Sequence, residues 1–232
     1  MTKKLVSSLI LASGALFAGA ASASLVLNTG VAADGSVLSA GSIDPLWTIS
    51  TDGVQFSAAR VAYPGWYPNM AGGQTCCGME TVAGVAAWIT TPSVVATSPT
   101  TGWGVNNMVY ARRSFDLSGY DLSTVTLNGR LRVADSSHGI YLNGSLVPGT
   151  GYAGYTFTTD HFFSLAAGSG LFQSGANLIE MRGDSVNDVW DAFWLDAQVI
   201  GRASSVPEPT TLVLLLAGLA LCGVRSAGRC GE

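Results

Sequence analysis

From Thr124 to Ala134 apolar and polar residues alternate strictly. Val125, Leu127, Leu131 and Val133 hold the odd positions, and Thr126, Asn128, Arg130 and Arg132 lie between them. A period of two is that of a strand with one face on a core. Asn128-Gly129 would ordinarily suggest a hairpin. A two-residue loop there would pair Leu127 with Arg130 and throw Leu131 out of phase, so the alternation predicts one continuous strand. Asn143-Gly144 is different, because a turn there pairs Ile140 with Val147 and Tyr141 with Leu146, both sensible matches. Further strands are predicted at 46–50 and 54–57 around a Thr51-Asp52-Gly53 turn, and at 108–115, 155–158, 162–165, 178–182 and 191–200. No amphipathic helix of useful length interrupts them. The pattern is all-β, an antiparallel jelly-roll sandwich, with a loop-rich elaboration over 65–104 where prolines and glycines crowd.

Composition changes the picture at the two ends. Only 11% of the 232 residues are charged, and 48% are hydrophobic. Lys3 and Lys4, the apolar run Leu5–Ala20 and Ala21-Ser22-Ala23 form the n-region, h-region and small-x-small site of a secretory signal peptide. Domains are therefore expected at 1–23 (signal peptide), 24–205 (β-sandwich) and 206–232. The last segment carries Pro207-Glu208-Pro209, the apolar run Leu212–Val224, then Arg225 and Arg229. That run, about 20 Å as a helix, is short of a hydrocarbon core of about 30 Å, so a span draws in the flanking residues. The arginines would stay inside as cations that resist crossing. The net charge of −4 argues against nucleic acid, whose binders present a basic face.

The Pro207-Glu208-Pro209 triplet, the short apolar helix and the basic residues resemble the PEP-CTERM sorting signal of Gram-negative bacteria. The resemblance implies an exosortase-type processing partner, a transient single-pass membrane intermediate, and a final place on the cell surface or in the exopolysaccharide matrix. A plain anchor without processing is the competing expectation. In the body, Phe115-Asp116-Leu117, Ala134-Asp135, Leu142-Asn143-Gly144 and Gly175-Ala176-Asn177-Leu178 resemble, in order, the galactose-binding-like jelly-roll modules. Turns that need positive φ are a sufficient structural explanation for the Asn and Gly residues among them.

Catalytic chemistry is sparse. No G-x-S-x-G or H-E-x-x-H occurs, so no nucleophile or metal motif is expected, and His138 and His161 read as turn or surface residues. Adjacent Cys76 and Cys77 suit a strained vicinal disulfide, free thiols or bonds between chains. Asp184, Asp188, Asp191 and Asp196 offer a carboxylate pair for glycoside hydrolysis, and Asp184, Asn187 and Asp188 offer oxygen ligands of the kind calcium takes. A solvated acidic loop is the stronger reading. No other cofactor is implied. In 191–200, Phe193, Leu195, Ala197 and Val199 form the core face. Trp194 then points outward with Asp196 and Gln198, and Trp190 shares that parity. Trp66 and Trp103 lie in the elaboration. Tryptophan beside Asp and Gln suits a sugar ring, so Trp190, Trp194, Asp196, Trp66 and Trp103 are the glycan-binding candidates, with packed indoles as the alternative. Two functions of different class follow: a weakly glycan-binding, non-catalytic surface or matrix protein, and a purely structural or adhesive one. A glycoside-active enzyme is a distant third.

Overall fold

A computed structural model describes residues 22–62, 85–92, 107–134, 136–153, 159–184 and 192–204. Every regular element among them is a strand: β1 (Ser22–Val26), β2 (Ile43–Ser50), β3 (Ser57–Val61), β4 (Ile89–Thr90), β5 (Met108–Asp116), β6 (Tyr120–Ala134), β7 (Ser136–Leu142), β8 (Ser145–Leu146), β9 (Gly151–Tyr152), β10 (His161–Leu165), β11 (Ala176–Asp184) and β12 (Ala192–Ala203). Neighbours follow the order β10-β6-β12-β4-β3-β2-β5-β11-β7-β8, with β1 added to β12 and β9 to β7. All pairings are antiparallel.

This path curls until its two halves face each other. Gly183 of β11 is five places from β12 in strand order, yet a Cβ on it would stand 2.9 Å from the Phe193 ring and 3.0 Å from Val133 Cγ1 of β6. One leaf is β10-β6-β12-β1 and the other is β3-β2-β5-β11-β7. Between them lie Val125, Leu127, Leu131, Val133, Phe193, Leu195 and Val199 from the first leaf, and Ile49, Val109, Ala111, Ile140, Ile179 and Met181 from the second. The two-residue β4 stitches the leaves, because Ile89 pairs with both Phe193 and Val61. The result is an all-β, jelly-roll-like curled sheet.

β6 is one strand through Gly129, as the alternation requires, with Val125, Leu127, Leu131 and Val133 buried. Gly129 is there for close approach: a Cβ would fall 2.6 Å from the Asp196 carbonyl oxygen and 2.7 Å from the Ala197 Cβ. At the hairpin, Asn143 (φ 52°) and Gly144 (φ 84°) take the left-handed pair of a two-residue turn. Tyr141 pairs with Leu146, and the Val147 amide donates to the Ile140 carbonyl. The Asn143 amide nitrogen donates to Asn177 Oδ1 at 2.8 Å, while its Oδ1 accepts the Leu178 amide at 2.9 Å. The two Asn-bearing motifs of the sequence thus meet in space and bolt the β7–β8 hairpin to β11.

Two expectations shift. The turn after β2 runs from Thr51 to Phe56, so Val54 to Phe56 are not strand. The Asp52 carboxylate captures the Val54 and Gln55 amides, each at 2.8 Å, and so removes them from the ladder. β1, a strand that alternation did not predict, begins at Ser22, where Ser22 pairs with Arg202. The strand expected at 155–158, most of the 65–104 elaboration, Cys76 and Cys77 lie outside the described residues.

Candidate functional site

The curled sheet exposes two outer faces, one on each leaf, and they are built differently. On the second leaf the row Ala58–Thr48–Arg112–Glu180–Tyr141–Leu146 crosses from β3 to β8. Arg112 and Arg182 each donate from Nε to Glu180 at 2.6 Å. Their guanidinium groups lie over the rings of Phe56 (3.7 Å) and Tyr141 (3.6 Å). Among the described residues of this face, the Phe56 and Tyr141 rings each already carry a cation.

On the first leaf the even residues of β10, β6 and β12 point outward. Phe162 pairs with Arg130, and Arg130 with Asp196. In the next row Ser164, Asn128, Gln198 and Val26 stand side by side across four strands. Phe162 is 75% exposed, and Ile200 and Val26 flank the polar row in partial exposure. Asn128, Arg130, Phe162, Ser164, Asp196 and Gln198 line a shallow open depression of about 520 Å³. Ser164 Oγ donates to Asn128 Oδ1 at 2.6 Å.

The charges here cancel within the face. Arg130 donates to Asp160 from Nη1 (2.8 Å) and to Asp196 from Nε (3.0 Å), and Arg132 donates from Nε to Asp160 (2.5 Å). Burial pushes the Asp160 carboxyl up, but the hydrogen bonds from Arg132 and Arg130 outweigh it and hold it below the ordinary carboxylate range. Both guanidinium groups also lie toward the Trp194 ring, at 5.1 and 5.4 Å.

Trp194 is the main correction. Its parity is the expected one, on the outward side with Asp196 and Gln198, but it is fully buried. The segment before β4 and the two arginines cover it, and its Nε1 donates to the Ala86 carbonyl at 3.3 Å. A sealed indole cannot stack on a sugar, so Trp194 is a support beneath the face and not its platform. Asp196 does lie on the face, tied to Arg130. Trp190, Trp66 and Trp103 lie outside the described residues, as do Pro207, Glu208, Pro209, Arg225 and Arg229.

Phe162, Arg130, Asn128 and Ser164 were not singled out as site residues by sequence. A signal existed for Asn128 and Arg130, which alternate with the core residues of β6.

His138 lies on β7 with Nε2 2.8 Å from Asp184 Oδ2. His161 is a strand residue stacked on Tyr152, with ring centroids 3.7 Å apart, and burial lowers its pKa. Asn187, Asp188 and Asp191 lie outside the described residues. Among those described, no three His, Cys, Asp or Glu side chains gather in a metal-binding group.

No protein-family model matches the chain, and no curated protein does. Among solved structures, it is similar to the crystal structure of Podospora anserina GH26-CBM35 β-(1,4)-mannanase. The identity is 16% over 54% of this chain and 24% of that one, with a TM-score of 0.26. The match spans about a quarter of that chain's length, and overlap of this extent carries no argument about what the protein does.

Proposed function

We propose that this is an exported, non-catalytic β-sandwich that binds polysaccharide weakly through the outer face of β10-β6-β12. The observation that carries the reading is Phe162: a bare aromatic ring beside Asn128, Ser164, Gln198 and the Arg130–Asp196 pair. A sugar offers an apolar ring face and a fringe of hydroxyls, and this face offers the complement of both. Modest affinity suffices where many copies meet one polymer.

The non-catalytic reading of this face is supported by its two described carboxylates, Asp160 and Asp196. Glycoside hydrolysis needs an acid whose pKa is raised so that it can protonate the leaving oxygen. Asp160 is shifted the opposite way, and Asp196 is held by Arg130. The signal-peptide pattern and the resemblance of 206–232 to a PEP-CTERM signal support export and exosortase processing. On this reading the protein ends on the surface or in the exopolysaccharide matrix of a Gram-negative cell.

Retention of the protein on the host's exopolysaccharide tests the reading. The wild type is retained, and Phe162→Ala is washed off with its thermal midpoint unchanged. Failure of the wild type to bind refutes the function. In parallel, deleting Pro207–Pro209 in a host with an exosortase leaves the precursor in the membrane fraction. Unchanged size and release there would refute the sorting assignment alone.

A further inference from the structure

If the outer face of β10-β6-β12 is a polysaccharide site, its layout also restricts what kind of chain it takes and how. Three features of the face bear on this. The first is direction. Ser164, Asn128 and Gln198 are register partners on β10, β6 and β12, and Val26 of β1 continues their line. The line crosses the strands, with one side chain every interstrand spacing of about 4.8 Å, or about 14 Å from Ser164 to Val26. That step is close to the length of one sugar unit in an extended chain. A polymer laid along the line therefore meets one protein group per unit, while a polymer laid along a strand would meet outward groups at a longer step.

The second feature is charge. The two arginines beside the depression, Arg130 and Arg132, are both consumed by Asp160 and Asp196. An acidic polymer would have to displace one carboxylate and then sit beside it. The row itself is uncharged, made of a hydroxyl, two amides and a valine. The third feature is shape. The depression is open, and the row ends at one side in exposed Ser164 on an edge strand and at the other in exposed Val26. Among the described residues no wall closes either end, so nothing there reads a chain terminus.

We infer that the face takes the interior of an uncharged polysaccharide chain, running across the strands along Ser164, Asn128 and Gln198, with Phe162 beneath one sugar unit. The amides bond successive hydroxyls, Val26 ends the row, and Ile200 flanks it on one side.

Titration calorimetry on the full chain in detergent tests this, using gluco-, manno- and galacto-oligosaccharides of one to six units. Oligogalacturonate serves as the acidic probe, and methyl glycosides serve as probes with a blocked reducing end. Affinity for a neutral series should climb with length and level off at about three or four units, the number that fits the row. Blocking the reducing end should change nothing, and oligogalacturonate should bind more weakly than its neutral counterpart. Asn128→Ala with Gln198→Ala should weaken the tetrasaccharide about tenfold or more, with the circular dichroism spectrum unchanged.

A monosaccharide binding as tightly as the tetrasaccharide would overturn the inference. So would loss of binding on blocking the reducing end, or a preference for oligogalacturonate. If Phe162→Ala abolishes binding while the double variant binds normally, the chain does not follow the row. In all of these cases the polysaccharide reading of the face survives. Absence of binding to every series overturns both.

Discussion

Phe162 and Trp194 face the same way on one leaf, on strands flanking β6, yet Phe162 is 75% exposed and Trp194 is sealed. Two arginines between them explain the difference. Arg132 pairs in register with Trp194, and Arg130 pairs with Phe162, but both guanidinium groups lean toward the indole and the aspartates around it. The tryptophan is roofed and the phenylalanine is left bare.

Substituting the two residues should therefore separate stability from binding. Trp194→Ala should cost about 3–5 kcal/mol in denaturant unfolding, the range for deleting a large buried aromatic. Phe162→Ala should leave the unfolding midpoint within experimental error and abolish polysaccharide retention. The reverse assignment of the two effects would show that the indole is the platform.

Gly129→Ala should destabilise the protein by about 1–3 kcal/mol. The new methyl would meet the Asp196 carbonyl oxygen at 2.6 Å, and a backbone atom in a ladder cannot swing aside. Urea unfolding reads this directly. A neutral outcome would mean that β6 and β12 can separate locally at no cost.

The contact between Asn143 and Asn177 predicts coupling. Each side chain also serves other partners: Leu171 and Leu178 for Asn143, and Gln173 and Gly175 for Asn177. Asn143→Ala and Asn177→Ala should each cost about 1–3 kcal/mol, since each strands buried donors and acceptors. The double variant should cost less than the sum of the two. Strict additivity would show that the hairpin and β11 are held independently.

Acid should act in two stages. Burial raises the Asp44 carboxyl, only partly offset by amides from Leu46, Gly30 and Trp47. The native state therefore takes up this proton first, and stability from this residue rises as pH falls through the window above about 3.9. Asp52 is the opposite case. The Ser50 hydroxyl, then the Gln55 and Val54 amides, lower it to about 2. Its contribution is complete above about 3.9 and is lost as pH falls toward 2. Asp160 has the same sign, and the serine hydroxyls of Ser36 and Ser123 lower Asp34 and Asp121 likewise. The urea midpoint should hold or rise down to about pH 4 and then drop steeply. Asp52→Asn should flatten part of the drop, and Asp44→Asn should remove part of the rise. A midpoint that climbs between pH 4 and pH 2 would contradict the sign given for Asp52 and Asp160.

Where one leaf's periodicity decides the matter, the fold was legible in the sequence. The unbroken β6, the Asn143-Gly144 hairpin with its pairs, and the positions of β5, β10, β11 and β12 follow from alternation and turn chemistry. What alternation cannot supply is the cover over a face. Trp194 has the predicted parity, but its roof comes from Ala86, 108 residues away in sequence. Phe162 and Phe163 are adjacent and chemically identical, so only the register with β6 decides which one faces the core. β4 is two residues long, below any useful window for periodicity. β1 starts within residues that also make a good cleavage site, and the stronger local signal hid the strand.

β12 lies between β6 and β1, and the chain leaves it at Ser204 for the segment that carries the apolar tail. A pull applied at Ser204 and directed along β12 would load that strand lengthwise. Strands loaded along their length resist in shear, since the hydrogen bonds of both flanking ladders bear the load together instead of breaking one after another. The face proposed for polysaccharide is carried on β10, β6 and β12, so it shares two of these strands. If the proposed polysaccharide pulls on Phe162 and Gln198, its force reaches Ser204 through one leaf, and the second leaf is left out of the mechanical path.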